Sequence, residues 1–212
     1  MATRKQKTKR WHRSHSADRF TKQAQRQGYR SRAVYKLQEI DHRDALIRRG
    51  MRVLELGAAP GGWSQYVAEK VGREGHVVAV DLLNMEPVPN VTIITGDFTD
   101  TVVRRALFDN IMESDLVLSD MAPNITGIRD IDGARFLDLL ESTLNLTEEL
   151  LKKGGSLLIK VFESPETQTI RSRCAQRFER VSARKPSASR SKSREYYLLA
   201  RGFGGNPAQD CA

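Results

Sequence analysis

Apolar residues recur along this chain in two periods that take turns from Val53 to Ala200. Short runs of mostly apolar residues fit buried strands: Val53-Leu54-Glu55-Leu56, His76 to Leu83, Val91 to Thr95, Leu116 to Ser119, Ser156 to Phe162, Arg180 to Lys185 and Glu195 to Ala200. Between them lie stretches with helical spacing: from Ser31 to Gly50, onward from Trp63, Val102 to Asn110, and Glu166 to Phe178. A longer one opens at Asp132, carries Phe136, Leu139, Leu140, Leu144, Leu146 and Leu150, and closes at Lys152-Lys153-Gly154-Gly155. Strand and helix alternating in this way predict an α/β fold, a mostly parallel sheet with helices on both faces. The last two strands of the chain lack an intervening helix, which predicts one antiparallel strand there.

The first strand runs into the turn Gly57-Ala58-Ala59-Pro60-Gly61-Gly62 before helical spacing begins at Trp63. Glycines lack a Cβ, so backbone and ligand can approach closely, and the helix that follows aims free N–H groups at that point. The spacing departs from the dinucleotide fingerprint, because Ala59 stands where its second glycine belongs and a proline follows. A nicotinamide oxidoreductase is disfavoured accordingly. The second strand delivers Asp81, 24 residues after Gly57, where a carboxylate can take both hydroxyls of a ribose. The turn and the acid together point to an adenosine-containing cofactor.

Charge divides the chain unevenly. The net formal charge is +9 over 212 residues, yet residues 1–36 hold twelve Lys and Arg against the single acid Asp18. The remainder is slightly acidic. The basic stretch is interleaved with Trp11, Phe20, Tyr29 and Tyr35, so phosphate neutralisation and base stacking could come from one segment. Residues 1–30 therefore read as a basic, extended RNA-binding arm, residues 31–203 as one catalytic domain, and 204–212 as a disordered tail. The sequence has no apolar stretch long enough to cross a membrane and no signal-peptide core at its start, so the expected location is the cytoplasm. Cys174 and Cys211 form no metal or redox spacing, and no metal is expected.

Ligands of such sheets sit outside the carboxyl ends of the strands. Asp81, Asp97 and Asp120 all fall there. Lys160 is the sharpest anomaly, since an ammonium inside the apolar run LLIKVF needs a counter-ion or must lose its charge. Nucleophile-elbow, Cys/His and metal patterns are missing from the sequence, leaving a lysine and carboxylates to carry the chemistry. Displacement on an activated cofactor suits that set. Lys36, three residues before Glu39, reads by itself as half of a surface ion pair.

The motifs YRSRAVYKL, LELGAAPGGWSQYV, VDLL, GDF, LSDMAPN, GGSLLIKVF and SRSKSREYYLLA, in this order between Gly28 and Gly202, resemble the FtsJ family of S-adenosylmethionine-dependent ribosomal-RNA ribose 2′-O-methyltransferases. The resemblance implies a Rossmann-like class I methyltransferase fold with a seven-stranded sheet. It implies a catalytic tetrad at Lys36, Asp120, Lys160 and Glu195, and S-adenosylmethionine contacts at Gly61, Trp63, Asp81, Asp97 and Asp120. The family's substrate is a uridine of 23S ribosomal RNA on the assembled 50S subunit, and a monomeric enzyme is expected. The basic residues Arg180, Arg184, Lys185, Arg190, Lys192 and Arg194 suit such a polyanion. The loop ESPET after KVF and the tail FGGNPAQDCA depart from the family pattern. Rival readings are a 2′-O-methyltransferase of transfer RNA or of an mRNA cap, and an RNA-binding ribosome assembly factor without activity. Cytosine C5 methylation would need a cysteine that SDMAPN lacks.

Overall fold

The computed structural model describes residues 19–123, 126–189 and 193–204. Trp11, Asp18, Asn124, Arg190, Lys192, Cys211 and the tail from 205 lie outside them. Two helices come first, α1 (Arg19–Arg26) and α2 (Val34–Asp44), followed by β1 (Arg52–Leu56), α3 (Gly62–Val71), β2 (His76–Asp81), β3 (Val91–Thr95) and α4 (Thr101–Asn110). Then come β4 (Ser114–Ser119), α5 (Arg129–Leu150), β5 (Leu151–Phe162), α6 (Pro165–Arg177), β6 (Phe178–Arg184) and β7 (Glu195–Phe203). The strands form one seven-stranded sheet in the order β3-β2-β1-β4-β5-β7-β6. Only β7 is reversed, pairing antiparallel with β5 on one side and β6 on the other. The mostly parallel sheet with one antiparallel strand is therefore observed.

Alternation along each buried strand sends side chains to two cores. One face packs Leu54, Leu56 and Val80 beneath α4, α5 and α6, represented by Leu107, Phe136, Leu140 and Ile170. The other packs Val53, Leu118 and Leu158 beneath α2 and α3, through Leu37, Ile40, Tyr66 and Val67.

Several boundaries differ from the sequence reading. Residues 19–26, assigned to the extended arm, are helical. Ala24 is buried there and the Phe20 ring lies 5.6 Å from that of Tyr35, so packing on α2 supplies the apolar face that the segment lacks in isolation. The helix expected to reach Gly50 stops at Asp44, where Ala45 turns left-handed (φ 47°) and donates its N–H to the Asp41 carbonyl. Ser31 does not cap that helix; its hydroxyl accepts the Ala33 N–H in the turn before it. α5 begins at Arg129, three residues early, because the Asp132 carboxylate reaches back to the N–H groups of Thr126 and Gly127. The Lys152–Gly155 segment belongs to β5, as an irregularity where the register with β4 jumps between Ser114 and Leu116.

The early stop of α2 is held by one side chain. Asp41 is buried, and its carboxylate accepts the Ile47 N–H at 2.7 Å and the Tyr66 hydroxyl at 2.6 Å, tying α2 to α3. Replacing it strands a buried donor on each side. Asp41→Ala is expected to lower unfolding free energy by about 2–4 kcal/mol in urea denaturation, and Asp41→Asn by less. A loss within 0.5 kcal/mol of zero would show that the network carries no weight.

Candidate functional site

Hydrogen bonds between loops stitch the carboxyl ends of the central strands together. Gly57 and Ala58 donate to the Val80 carbonyl, Asp120 donates to Leu56, and Gly96 donates to Asp81. Gly57 is left-handed (φ 78°), and a Cβ there would stand 2.4 Å from Met121 Cγ, so glycine allows the loops after β1 and β4 to touch. The Ala59–Pro60 bond in the same turn is cis. Beneath this lattice opens a cleft of about 670 Å³ bounded by Gly57, Ala59, Asp81, Asp97 and Asp120, with Arg135 and Asp138 from α5 opposite.

Two acids of the cleft, Asp81 and Asp97, are oriented by backbone. Asp81 accepts the Ala59 N–H on one oxygen, at 2.9 Å, and the Leu83 N–H on the other, at 2.8 Å. Asp97 takes the Thr99 N–H and hydroxyl on a single oxygen. The remaining lone pairs can take further donors.

At the inner end of the cleft two ion pairs come together. Lys160 Nζ lies 3.2 Å from Asp120 Oδ1 and donates to the Asp120 carbonyl. Lys36 Nζ lies 2.6 Å from Glu195 Oε1. Both lysines are only 9% exposed. Burial pushes the Glu195 carboxyl upward, but the hydrogen bond and charge of Lys36, aided by Lys160, outweigh it and hold the group below the usual glutamate range. All four residues of the implied tetrad thus gather, drawn from α2, the loop after β4, β5 and β7. Lys36 does not pair with Glu39, whose carboxylate instead accepts the N–H and hydroxyl of Ser187.

Gly61 and Trp63 are not among the residues bounding this cleft. A Cβ on Gly61 would meet Arg30 and Met85. Trp63 is buried beneath α2, its indole N–H donating to the Ala33 carbonyl at 2.7 Å and its ring 5.7 Å from Tyr197. The segment around Arg30 and Ser31 lies over this end of α3, with the Arg30 N–H held by Gln65 and its guanidinium by the Glu86 and Pro87 carbonyls. Of the basic group near the C-terminus, Arg184 is committed to a two-pronged pair with Asp44 at 2.7 Å per bond. Among the described residues no group of three His, Cys, Asp or Glu is placed to hold a metal, and no helix is long and apolar enough to cross a membrane.

Two further residues belong to the site. Tyr197, fully buried, donates its hydroxyl to Asp120 Oδ1 at 2.7 Å. Its position two residues after Glu195 on the same strand is the signal that could have revealed it. Glu55 is the only charged residue of the run VLEL; it is buried under the turn and accepts the Ser64 hydroxyl at 2.6 Å. Burial, with Asp120 and Asp81 nearby, pushes its carboxyl up to about 8 against the opposing Ser64 bond.

The FtsJ-like methyltransferase family matches residues 29–203. A protein of Legionella pneumophila (strain Corby) named ribosomal RNA large subunit methyltransferase E is 47% identical over 203 residues, 95% of this chain and 98% of its own. One of the same name from Pseudomonas fluorescens is 48% identical over 197 residues, covering 92% and 94%. Among solved structures, a ribosomal RNA methyltransferase of Plasmodium falciparum superposes with a TM-score of 0.76 at 28% identity, over 84% of this chain and all of that one.

The state of Glu55 has a measurable effect on stability. Its folded carboxyl titrates above the unfolded one, so the native state binds the extra proton, and stability present below about pH 4.5 is lost as pH rises toward 8. Glu55→Gln removes that slope. Its melting temperature is expected to gain on the wild type progressively from pH 5 to 8, by up to roughly 4 kcal/mol in stability. A difference independent of pH would mean that the buried carboxyl is ionised throughout.

Proposed function

The chain belongs to the FtsJ-like methyltransferase family, and from that premise we propose that it methylates the ribose 2′-hydroxyl of a uridine in large-subunit ribosomal RNA. The methyl donor is S-adenosylmethionine, the substrate is the assembled 50S subunit, and the enzyme acts as a monomer in the cytoplasm. The observation that carries this reading is the convergence of the Lys160–Asp120 pair with the inner end of the acid-lined cleft. The names of the relatives from Legionella and Pseudomonas support the choice of RNA.

S-adenosylmethionine suits the donor set of the cleft. Asp81 retains lone pairs for ribose hydroxyls, the unshared oxygen of Asp97 can accept an adenine amino group, and Asp120 offers negative charge at the reactive end. When bound, this group supplies an electrophilic methyl carried on a sulfonium. The chain's own residues then act on the nucleophile. Asp120 fixes the Lys160 ammonium through its carboxylate and its carbonyl, and Tyr197 fixes the Asp120 carboxylate. Lys160 is left with one N–H to orient the 2′-oxygen for in-line attack, and the hydroxyl proton passes to water as the methyl group is taken. Lys36, neutralised by Glu195, lines the same site. The basic residues of 1–30 and the exposed Arg180, Lys185 and Arg194 would bind the phosphates around the target.

The reading is tested by incubating the protein with tritiated S-adenosylmethionine and, separately, large subunits, naked ribosomal RNA and transfer RNA, then mapping ribose methylation. Label on one uridine ribose of the subunit is expected. Label confined to transfer RNA would reassign the substrate, and cofactor binding without label on any of the three would indicate a binding factor. Lys160→Ala should slow single-turnover transfer by at least about 100-fold. A positioning ammonium predicts a rate that does not climb with pH; a tenfold rise per pH unit would make Lys160 the base instead.

A further inference from the structure

A second cavity, of about 560 Å³, lies against the acid-lined cleft and shares Ala59 with it. The wall between them is formed by the turn at Ala59-Pro60 and by the loop of residues 82–90 that follows β2. Leu82 borders the cleft, whereas Leu83, Met85 and Glu86 border the second cavity together with Arg30. Both strips of this wall grip Asp81, since the N–H on one carboxylate oxygen belongs to Ala59 and the N–H on the other to Leu83. Their relative position therefore decides where Asp81 points.

The loop has little of its own to hold it there. It lacks regular structure, and Leu82, Leu83, Glu86 and Pro87 are exposed. Among the described residues, 84–87 are hydrogen-bonded to the rest of the chain through Arg30 alone. The guanidinium donates from Nη1 to the Glu86 carbonyl at 2.6 Å and to the Pro60 carbonyl at 3.4 Å, and from Nη2 to the Pro87 carbonyl at 2.8 Å. One side chain thus bridges the two strips that aim Asp81. Its own backbone is anchored on α3: the Arg30 N–H donates to Gln65 Oε1 at 2.9 Å, and Gln65 Nε2 donates to the Gly28 carbonyl at 3.0 Å. Gly61 leaves room for the clasp, because a Cβ there would stand 3.0 Å from Arg30 Nη1.

These bonds except Arg30 from the phosphate contacts assigned to the basic residues of 1–30. Three of the five guanidinium donors already point at carbonyls, so the fork that would grip a phosphate grips the backbone of two loops. A lysine carries a compact ammonium on a flexible stem and cannot reproduce that planar, two-pronged span.

We propose that Arg30 is a positioning residue for S-adenosylmethionine: by clasping Glu86 and Pro87 to Pro60 it holds the amides that aim Asp81 at the ribose of the cofactor. The inference rests on the reading of Asp81 as the ribose acceptor given above, and adds the residue that sets its aim. The full-length protein would be titrated calorimetrically with S-adenosylhomocysteine and with its 2′,3′-dideoxyribose analogue, as wild type, Arg30→Ala, Arg30→Lys and Asp81→Ala. Wild type should bind the ribose form at least about tenfold more tightly than the analogue, and Asp81→Ala should abolish that ratio. Arg30→Ala should lose most of it, and Arg30→Lys should keep part. A mere loss of stability would leave the ratio in place, because both ligands are read on the same folded protein. In the ligand-free protein, the Ala59 and Leu83 amides should exchange hydrogen at least about tenfold faster in Arg30→Ala than in wild type. An undiminished ratio in Arg30→Ala, or unchanged exchange, overturns the proposal while leaving Asp81 on the ribose; a raised KM for ribosomal RNA beside an undiminished ratio would make Arg30 a phosphate contact. A ratio absent from the wild type, or retained in Asp81→Ala, would instead remove Asp81 from the ribose and the proposal with it.

Discussion

Two ammonium groups buried among apolar strands constrain the whole molecule, because neither Lys36 nor Lys160 can be left without its carboxylate. Removing one partner from a buried pair costs about 3–5 kcal/mol, a large share of a domain's stability. The four charges stand on α2, just beyond β4, on β5 and on β7, so those elements must hold a common register. The fold provides this redundantly. Arg184 grips the Asp44 carboxylate and Arg201 the Asp44 carbonyl, pinning the end of α2 to the last two strands. Glu39 holds Ser187 in the loop between β6 and β7, and Asp41 joins α2 to α3.

The cleft depends on a different kind of constraint. Asp81 and Asp97 are aimed by loop amides, and Gly57 permits the loops after β1 and β4 to pass within van der Waals contact. Apolar packing on both faces of the sheet fixes where the strands end, and the loop hydrogen bonds fix how the ends face one another. The site is therefore assembled by backbone geometry first, with Tyr197 and Trp63 adding side-chain support from below.

The alternation of strands and helices, one antiparallel strand near the end of the chain and the acids at the strand ends were all legible, because period and position along a strand are local properties of the sequence. Lys160 also declared itself, as a charge inside an apolar run. Lys36 and Glu195 did not. Their meeting spans more than 150 residues, and only likeness to a known family pointed to it. The same limit explains the remaining differences. α1 is helical because of α2, Ala45 is left-handed because Asp41 waits for Ile47, and Trp63 turns inward because the segment before α2 covers it. Tyr197 and Glu55 went unnoticed because their partners, Asp120 and Ser64, lie in other elements that the fold brings beside them.

The one reversed strand changes which residues the carboxyl edge of the sheet can hold. Every parallel strand brings only its last residues to that edge, whereas β7 brings its first. Glu195 opens β7 and so stands at the same edge as Asp81 and Asp120, close enough to Lys36 to pair with it. A seventh parallel strand would have carried that carboxylate to the opposite edge and left Lys36 buried without its counter-ion.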